Sequence, residues 1–183
     1  MSKKSKKLEL GLRRWFKTQS GNTSAKLETA VNKLLADAGL PARLSAQIKQ
    51  DACSIGEVVI SMCEWASVLE VSLETMGTER CSKFHVDYYP GRAIVTYNGA
   101  KGTEYTKDSN VDFWEMDHCS NNDHIIRNAD EIESVGVGDI LFMKGHGYGP
   151  GRPKPLVHRS PDAELHQDGR IVHRLVLKVD IVG

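Results

Sequence analysis

At about Val68 the spacing of apolar residues changes from a helical to a strand period, and no other feature constrains the fold as much. Upstream, Leu27, Val31, Leu34, Leu35 and Ala38 share one helical stripe, which Thr23 or Ser24 can cap and Gly39 with Pro41 stops. A second helical segment carries Leu44, Ile48 and Ala52. Ser54 and Glu57 have the spacing of a capping box, and Val58, Val59, Met62, Cys63 and Ala66 then mark a third helix. Downstream, Leu69, Val71, Leu73 and Thr75 alternate with Glu70, Ser72 and Glu74, the pattern of a half-buried strand. Short strand signals follow at Lys83 to Val86, Arg92 to Tyr97, Ile140 to Met143, Leu156 to His158 and Ile171 to Val182. The Asn98-Gly99 turn predicts that Thr103 to Thr106 returns beside the Arg92 strand. Helices first and strands afterwards define an α+β chain whose strands form a small sandwich or barrel.

A length of 183 residues suits one domain with a real core. We expect a basic, flexible N-terminal segment at 1–22 and a single domain at 23–183, helical over 23–67 and built of strands over 68–183. The chain is neutral, but its first seventeen residues hold seven lysines and arginines against Glu9, about +6, which leaves about −6 for the rest. Such a tail suits an acidic partner, whereas the acidic body argues against nucleic-acid binding. No run approaches the roughly 18 apolar residues of a membrane span, and no apolar stretch backs the basic start as in a secretory signal. The expected location is therefore cytoplasmic. Cys53, Cys63, Cys81 and Cys119 form no CxxC pair and read as reduced thiols.

His85 and Asp87 lie two apart on a strand, so an imidazole and a carboxylate point to the same face. His158 in LVHRSP is the candidate third ligand. Two histidines and a carboxylate on one face of a metal, with other positions open, suit Fe(II), although Zn(II) can occupy the same donors. Spacing alone leaves open a hydrogen-bonded His85–Asp87 pair with His158 a separate surface residue. The glycine-rich loop Lys144 to Pro155 precedes His158 and is either a plain connection or a lid, with His146, Tyr148 and Arg152 available for contacts. Cys81, His118, Cys119 and His124 offer zinc-type donors without paired spacing, against the reading of a solvated acidic loop.

The order of these features resembles the core of the 2-oxoglutarate-dependent oxygenases, in particular the prolyl-hydroxylase-like branch: His-x-Asp, a strand starting at Arg92, a Tyr-Asn-Gly turn, a Gly-Asp turn before an apolar strand, a distal histidine and a strand carrying Arg174. The resemblance covers about residues 81–182 and implies N-terminal helices packed on a double-stranded β-helix, a jelly-roll or cupin-like barrel. It also implies Fe(II) on His85, Asp87 and His158, and 2-oxoglutarate as cosubstrate with its far carboxylate on a basic residue of the last strand. Arg174 and Arg170 follow His158 by more residues than is usual in that family; Arg174 alternates with Val172 and Val176 and is preferred. The implied reaction couples oxidative decarboxylation of 2-oxoglutarate to hydroxylation or oxidation of a small-molecule or protein substrate; Arg92 lines the pocket or sits at its rim, and Tyr97 either lines it or, the favoured reading for a tyrosine here, packs in the core. The alternative is a cupin-like module that holds a divalent metal, for metal homeostasis, without turnover. The motifs CSKFHVD, TYNG, GDILFMKG, LVHRSP and HRLVLKVD are also similar to the bacterial domain of unknown function 1826 family.

Overall fold

Apolar spacing organises the helical layer as expected, with one difference. The computed structural model describes residues 11–18, 23–77, 81–119, 121–148 and 154–183. Helix α1 (Thr23–Ala38) buries Leu27, Ala30, Val31, Leu34 and Ala38. The two helices expected after it are one, α2 (Ala42–Met62). Its buried Ile48, Ala52, Ile55 and Val59 form a single stripe that runs past Ser54, so the interior of a helix wins over the capping-box spacing. No helix among the described residues is long and apolar enough to cross a membrane.

The strands form two antiparallel sheets. One has five strands in the order β1 (Gly11–Lys17), β2 (Val68–Met76), β8 (Arg174–Ile181), β3 (Gly91–Thr96) and β6 (Ile140–Lys144). The other has three, in the order β5 (Glu133–Ser134), β4 (Glu104–Thr106) and β7 (Val157–Arg159). Between β4 and β5 lie the short helices α3 (Phe113–His118) and α4 (Asn122–Ile125). The expected pairing of the Thr103 strand with the Arg92 strand does not form. Both edges of β3 are filled, by β8 and β6, and β4 joins β5 and β7 instead.

The flexible segment expected through residue 22 is also corrected over Gly11–Lys17, which pairs with β2 as an edge strand. Phe16 enters the helix-side core, Arg14 reaches Asp37 of α1, and Arg13 turns to the other face to meet Glu74 at 3.1 Å. Residues 1–10 and 19–22, with most of the basic tail, lie outside the described residues.

One face of the large sheet packs on the helices through Leu69, Val71, Leu73, Ala93, Val95, Leu177, Val179 and Ile181. Each such side chain, fully buried, contributes about 1.5–3 kcal/mol at the size of valine or leucine. The other face was expected to meet solvent at β2, yet Glu70, Ser72 and Glu74 are as buried as their apolar neighbours. Beside them lie Arg174, Val176, Lys178 and Asp180 of β8 and Ile94 and Thr96 of β3. Charges are bearable there because they are paired: Lys178 Nζ donates to Glu74 at 2.9 Å, and Arg92 Nε donates to Asp180 at 2.5 Å. This polar interior face positions the site.

Candidate metal and carboxylate site

His85 is held by a single antiparallel bridge to His158, in which each backbone N–H donates to the other's carbonyl, at 3.0 and 2.9 Å. Directly opposed residues put their side chains on the same side, and the ring centroids lie 4.6 Å apart. Below the bridge, Phe84 is fully buried with Val111, Ile125, Ile126 and Val157. That anchor sends the next side chain, His85, the opposite way, and Asp87 follows it by alternation.

Both rings are oriented by backbone. His85 Nδ1 lies 2.7 Å from the Lys83 carbonyl and His158 Nδ1 lies 3.0 Å from the Leu156 carbonyl. A carbonyl only accepts, so each Nδ1 carries the proton and each Nε2 keeps its lone pair. The two Nε2 atoms face Asp87, at 3.9 Å from Oδ1 for His85 and 3.5 Å from Oδ2 for His158. One ligand atom from each of the three residues lies within 4.8 Å of the others. Burial pushes His158 down to about 4, so near neutral pH it is the uncharged imidazole that a metal requires. Burial also works against a charge on His85, but hydrogen bonds to the Cys81 thiol and the Lys83 carbonyl outweigh it and raise the ring's pKa.

Arg92, expected to line the pocket, stands behind the triad. It donates from Nη1 to Asp87 Oδ2 at 2.7 Å and binds Asp180 through Nε and Nη2 at 2.5 and 3.0 Å. It fixes Oδ2 of Asp87, while Oδ1 faces His85 Nε2. The backbone of Asp87 is fixed as well, because His146 N–H donates to its carbonyl at 2.9 Å. Gly145 makes that approach possible: a Cβ there would lie 1.8 Å from the Tyr89 carbonyl oxygen.

Arg174 is 7% exposed on the same interior face, and its Nη2 is buried with no hydrogen-bond partner among the described residues. Burial lowers its pKa, against the nearby Cys81 and Glu104, and Glu104 is already bound to Arg159 at 2.7 Å. The Tyr-Asn-Gly turn holds it in place. Asn98 donates to the His173 carbonyl and accepts from Leu175 N–H, at 2.9 and 2.7 Å, gripping the backbone on both sides of Arg174. Gly99, at φ +112°, lets the side chain pass, since a Cβ would lie 3.1 Å from Arg174 Cγ.

The other candidates lie elsewhere. Arg170 sits in the exposed turn bound to Asp168 at 2.6 Å. Tyr97 turns to the helices and donates to Asp51 of α2 at 2.9 Å, and Tyr148 packs edge-on against Trp65 at 5.5 Å. Both leave the interior because β3 and the β6 loop border the helix layer. The His146 side chain is exposed, tilted toward Tyr88, in a groove with Val86, Phe113 and Met116. Arg152 lies outside the described residues. Of the zinc-type donors, Cys81 is at the triad instead, hydrogen-bonded to His85, and His118 stacks on Trp114 at 4.7 Å. The clamping roles of Arg92, Asn98 and Asp180 were not read from sequence; the available signals were Arg92 five residues after Asp87, Asn98 in the Tyr-Asn-Gly turn and Asp180 on the strand of Arg174.

The donor set fits a metal ion with nitrogen and oxygen preference, and the unpartnered guanidinium fits a carboxylate. The chain is similar in fold to the dioxygenase for auxin oxidation 1 of Arabidopsis thaliana, solved as a binary complex with 2-oxoglutarate, at TM-score 0.50 and 12% identity. The match covers 94% of this chain and 62% of that protein, so this chain spans less than two thirds of its relative's length. A rice dioxygenase for auxin oxidation also matches, at TM-score 0.46 and 12% identity over 94% of this chain and 56% of that one. No curated protein matches at the level of sequence. Across residues 5–180 the chain matches the model of the family described as Protein of unknown function (DUF1826), and it belongs to that family.

Proposed function

We propose that this chain is an Fe(II)- and 2-oxoglutarate-dependent oxygenase, with His85, Asp87 and His158 holding the metal and Arg174 the far carboxylate of 2-oxoglutarate. The two sheets are then the walls of a double-stranded β-helix, with the polar face of the large sheet as its interior. The observation that carries the reading is the buried, unpartnered Nη2 of Arg174 on the face that also presents Asp180, Arg92 and, through Arg92, Asp87. A module that only stored metal would have no use for it.

When bound, the metal and cosubstrate supply the oxidation: 2-oxoglutarate and O2 become succinate and CO2, one oxygen atom ends in succinate and the other in the substrate. The chain's part is orientation. The Lys83 and Leu156 carbonyls keep both Nε2 lone pairs aimed at one point, and Arg92 holds the Asp87 carboxylate in place. Arg174 offers a planar, permanently charged donor whose alignment is set in advance by Asn98 and Gly99. The substrate is a small molecule or a protein side chain.

The test is anaerobic addition of Fe(II) and 2-oxoglutarate, followed by admission of oxygen. A visible charge-transfer band and then succinate are expected, both lost in His158→Ala. Metal bound by wild type but no 2-oxoglutarate binding would replace the reading with a metal-binding module.

A further inference from the structure

The turn between α3 and α4 brings together sulfur, nitrogen and oxygen donors away from the triad. Glu115 and Cys119 are one helical turn apart, closed by Cys119 N–H donating to the Glu115 carbonyl at 2.7 Å, so they share a side of α3. His124 returns from α4, placing Nδ1 3.5 Å from Cys119 Sγ and 4.0 Å from Glu115 Oε2. One ligand atom from each lies within 4.8 Å of the other two. We propose that Glu115, Cys119 and His124 form a second metal site, selective for Zn(II), that fastens the α3–α4 turn to the segment carrying His85.

The choice of metal follows from the donors. Thiolate, imidazole and carboxylate are all ordinary Zn(II) ligands, and a thiolate disfavours Mg(II) and Ca(II). The triad holds no sulfur, so the two sites differ in preference. Asn121 N–H already points at Cys119 Sγ, at 3.4 Å, and holds the sulfur on the side of His124. Glu115 and Cys119 are half-buried and His124 is exposed, so an ion can enter from solvent.

The coupling is equally concrete. Asn122, inside the turn, donates from its side chain to the Ser82 carbonyl and accepts from Phe84 N–H, both at 2.9 Å. Lys83 Nζ donates to the Met116 carbonyl at 2.6 Å. Residues 82–84 are thus bonded to the segment that the ion would close, one residue before His85. An ion bound only by the folded turn stabilises it by mass action, and it steadies the bridge that presents His85.

The experiment uses the full chain with the triad removed, His85→Ala/His158→Ala, and Co(II) alone as the probe. About one equivalent should bind with the near-ultraviolet sulfur-to-Co(II) band and tetrahedral visible bands, and Zn(II) should displace it. Cys119→Ser should abolish the sulfur band, whereas Cys81→Ser should leave it intact. The exposed His124→Asn, which leaves the fold undisturbed, should weaken Co(II) binding about tenfold or more and serves if Cys119→Ser does not fold. A band that survives Cys119→Ser, a band lost in Cys81→Ser, or no stoichiometric binding would overturn the proposal. Because the triad is absent, none of these outcomes depends on the oxygenase reading.

Discussion

Replacing Arg174 by methionine should strengthen the empty protein while weakening its hold on 2-oxoglutarate. The guanidinium is 7% exposed, and Nη2 is buried without a partner among the described residues. An unsatisfied buried donor costs about 1–3 kcal/mol, more for a charged group. Methionine keeps the stem that passes Gly99 and removes the charge, so the metal-free protein should gain about 1–3 kcal/mol, or roughly 3–10 °C in Tm for a chain of this size. Binding moves the other way. A charge-assisted hydrogen-bond pair to a carboxylate is worth about 1.5–3 kcal/mol, so the Kd for 2-oxoglutarate should rise about 10- to 150-fold. Thermal unfolding by circular dichroism reads the first effect, and anaerobic titration of the Fe(II)-loaded protein reads the second. A methionine variant that melts lower and binds 2-oxoglutarate as before would make Arg174 a structural residue and refute the assignment.

Arg92→Ala strips the guanidinium from two buried carboxylates, Asp87 and Asp180, and should cost about 3–5 kcal/mol in urea unfolding; a loss under about 1 kcal/mol would show that Arg92 is not the clamp. Gly145→Ala drives a Cβ into the Tyr89 carbonyl, so the Asp87 backbone must shift, with about 1–3 kcal/mol lost and weaker metal binding by calorimetry. An unchanged urea midpoint would count against that close approach. For His158, burial pushes the folded pKa down to about 4 while the unfolded value is near 6.5. Below 6.5 the unfolded chain takes up a proton that the folded one refuses, so its contribution is whole above pH 6.5. It is lost progressively as pH falls toward 4, by roughly 3 kcal/mol in metal-free protein. His158→Gln should remove this pH dependence, so that the wild-type minus variant stability difference falls between pH 7 and 5, and a difference that stays constant would contradict the burial argument.

Period-two alternation was enough to place His85 with Asp87, and Arg174 with Val176, on common faces, because side-chain direction on a strand is local information. It was not enough to say what each face looks at. Glu70, Ser72 and Glu74 have the signature of a solvated strand, and only partners over a hundred residues away, such as Lys178, turn that face inward. The same ambiguity hid β1: Arg13 and Arg14 read as part of a basic, flexible segment, yet one meets Glu74 and the other Asp37. The expected break in α2 failed for a related reason, since Ser54 and Glu57 fit a cap locally while the buried stripe continues through Ile55 and Val59. Tyr97 and Tyr148 carry no local mark of which layer they enter.

Among the described residues, four cations occupy the interior face of the large sheet: Arg13, Arg92, Arg174 and Lys178. Three are neutralised from within it. Arg13 meets Glu70 and Glu74, Lys178 meets Glu74, and Arg92 meets Asp180 together with Asp87 of the triad. Buried pairs of this kind are poor sources of net stability, because desolvation offsets most of the attraction. What they do supply is definition, since carboxylates held by their own cations cannot swing over to Arg174. Glu104, whose charge also acts on Arg174, is likewise held by Arg159 and Lys101. An interior arranged for stability would carry an apolar residue at position 174, as it does at 176. A network that satisfies its other cations and leaves Arg174 Nη2 without a partner among the described residues supports the proposal that Arg174 receives an anion from outside the chain.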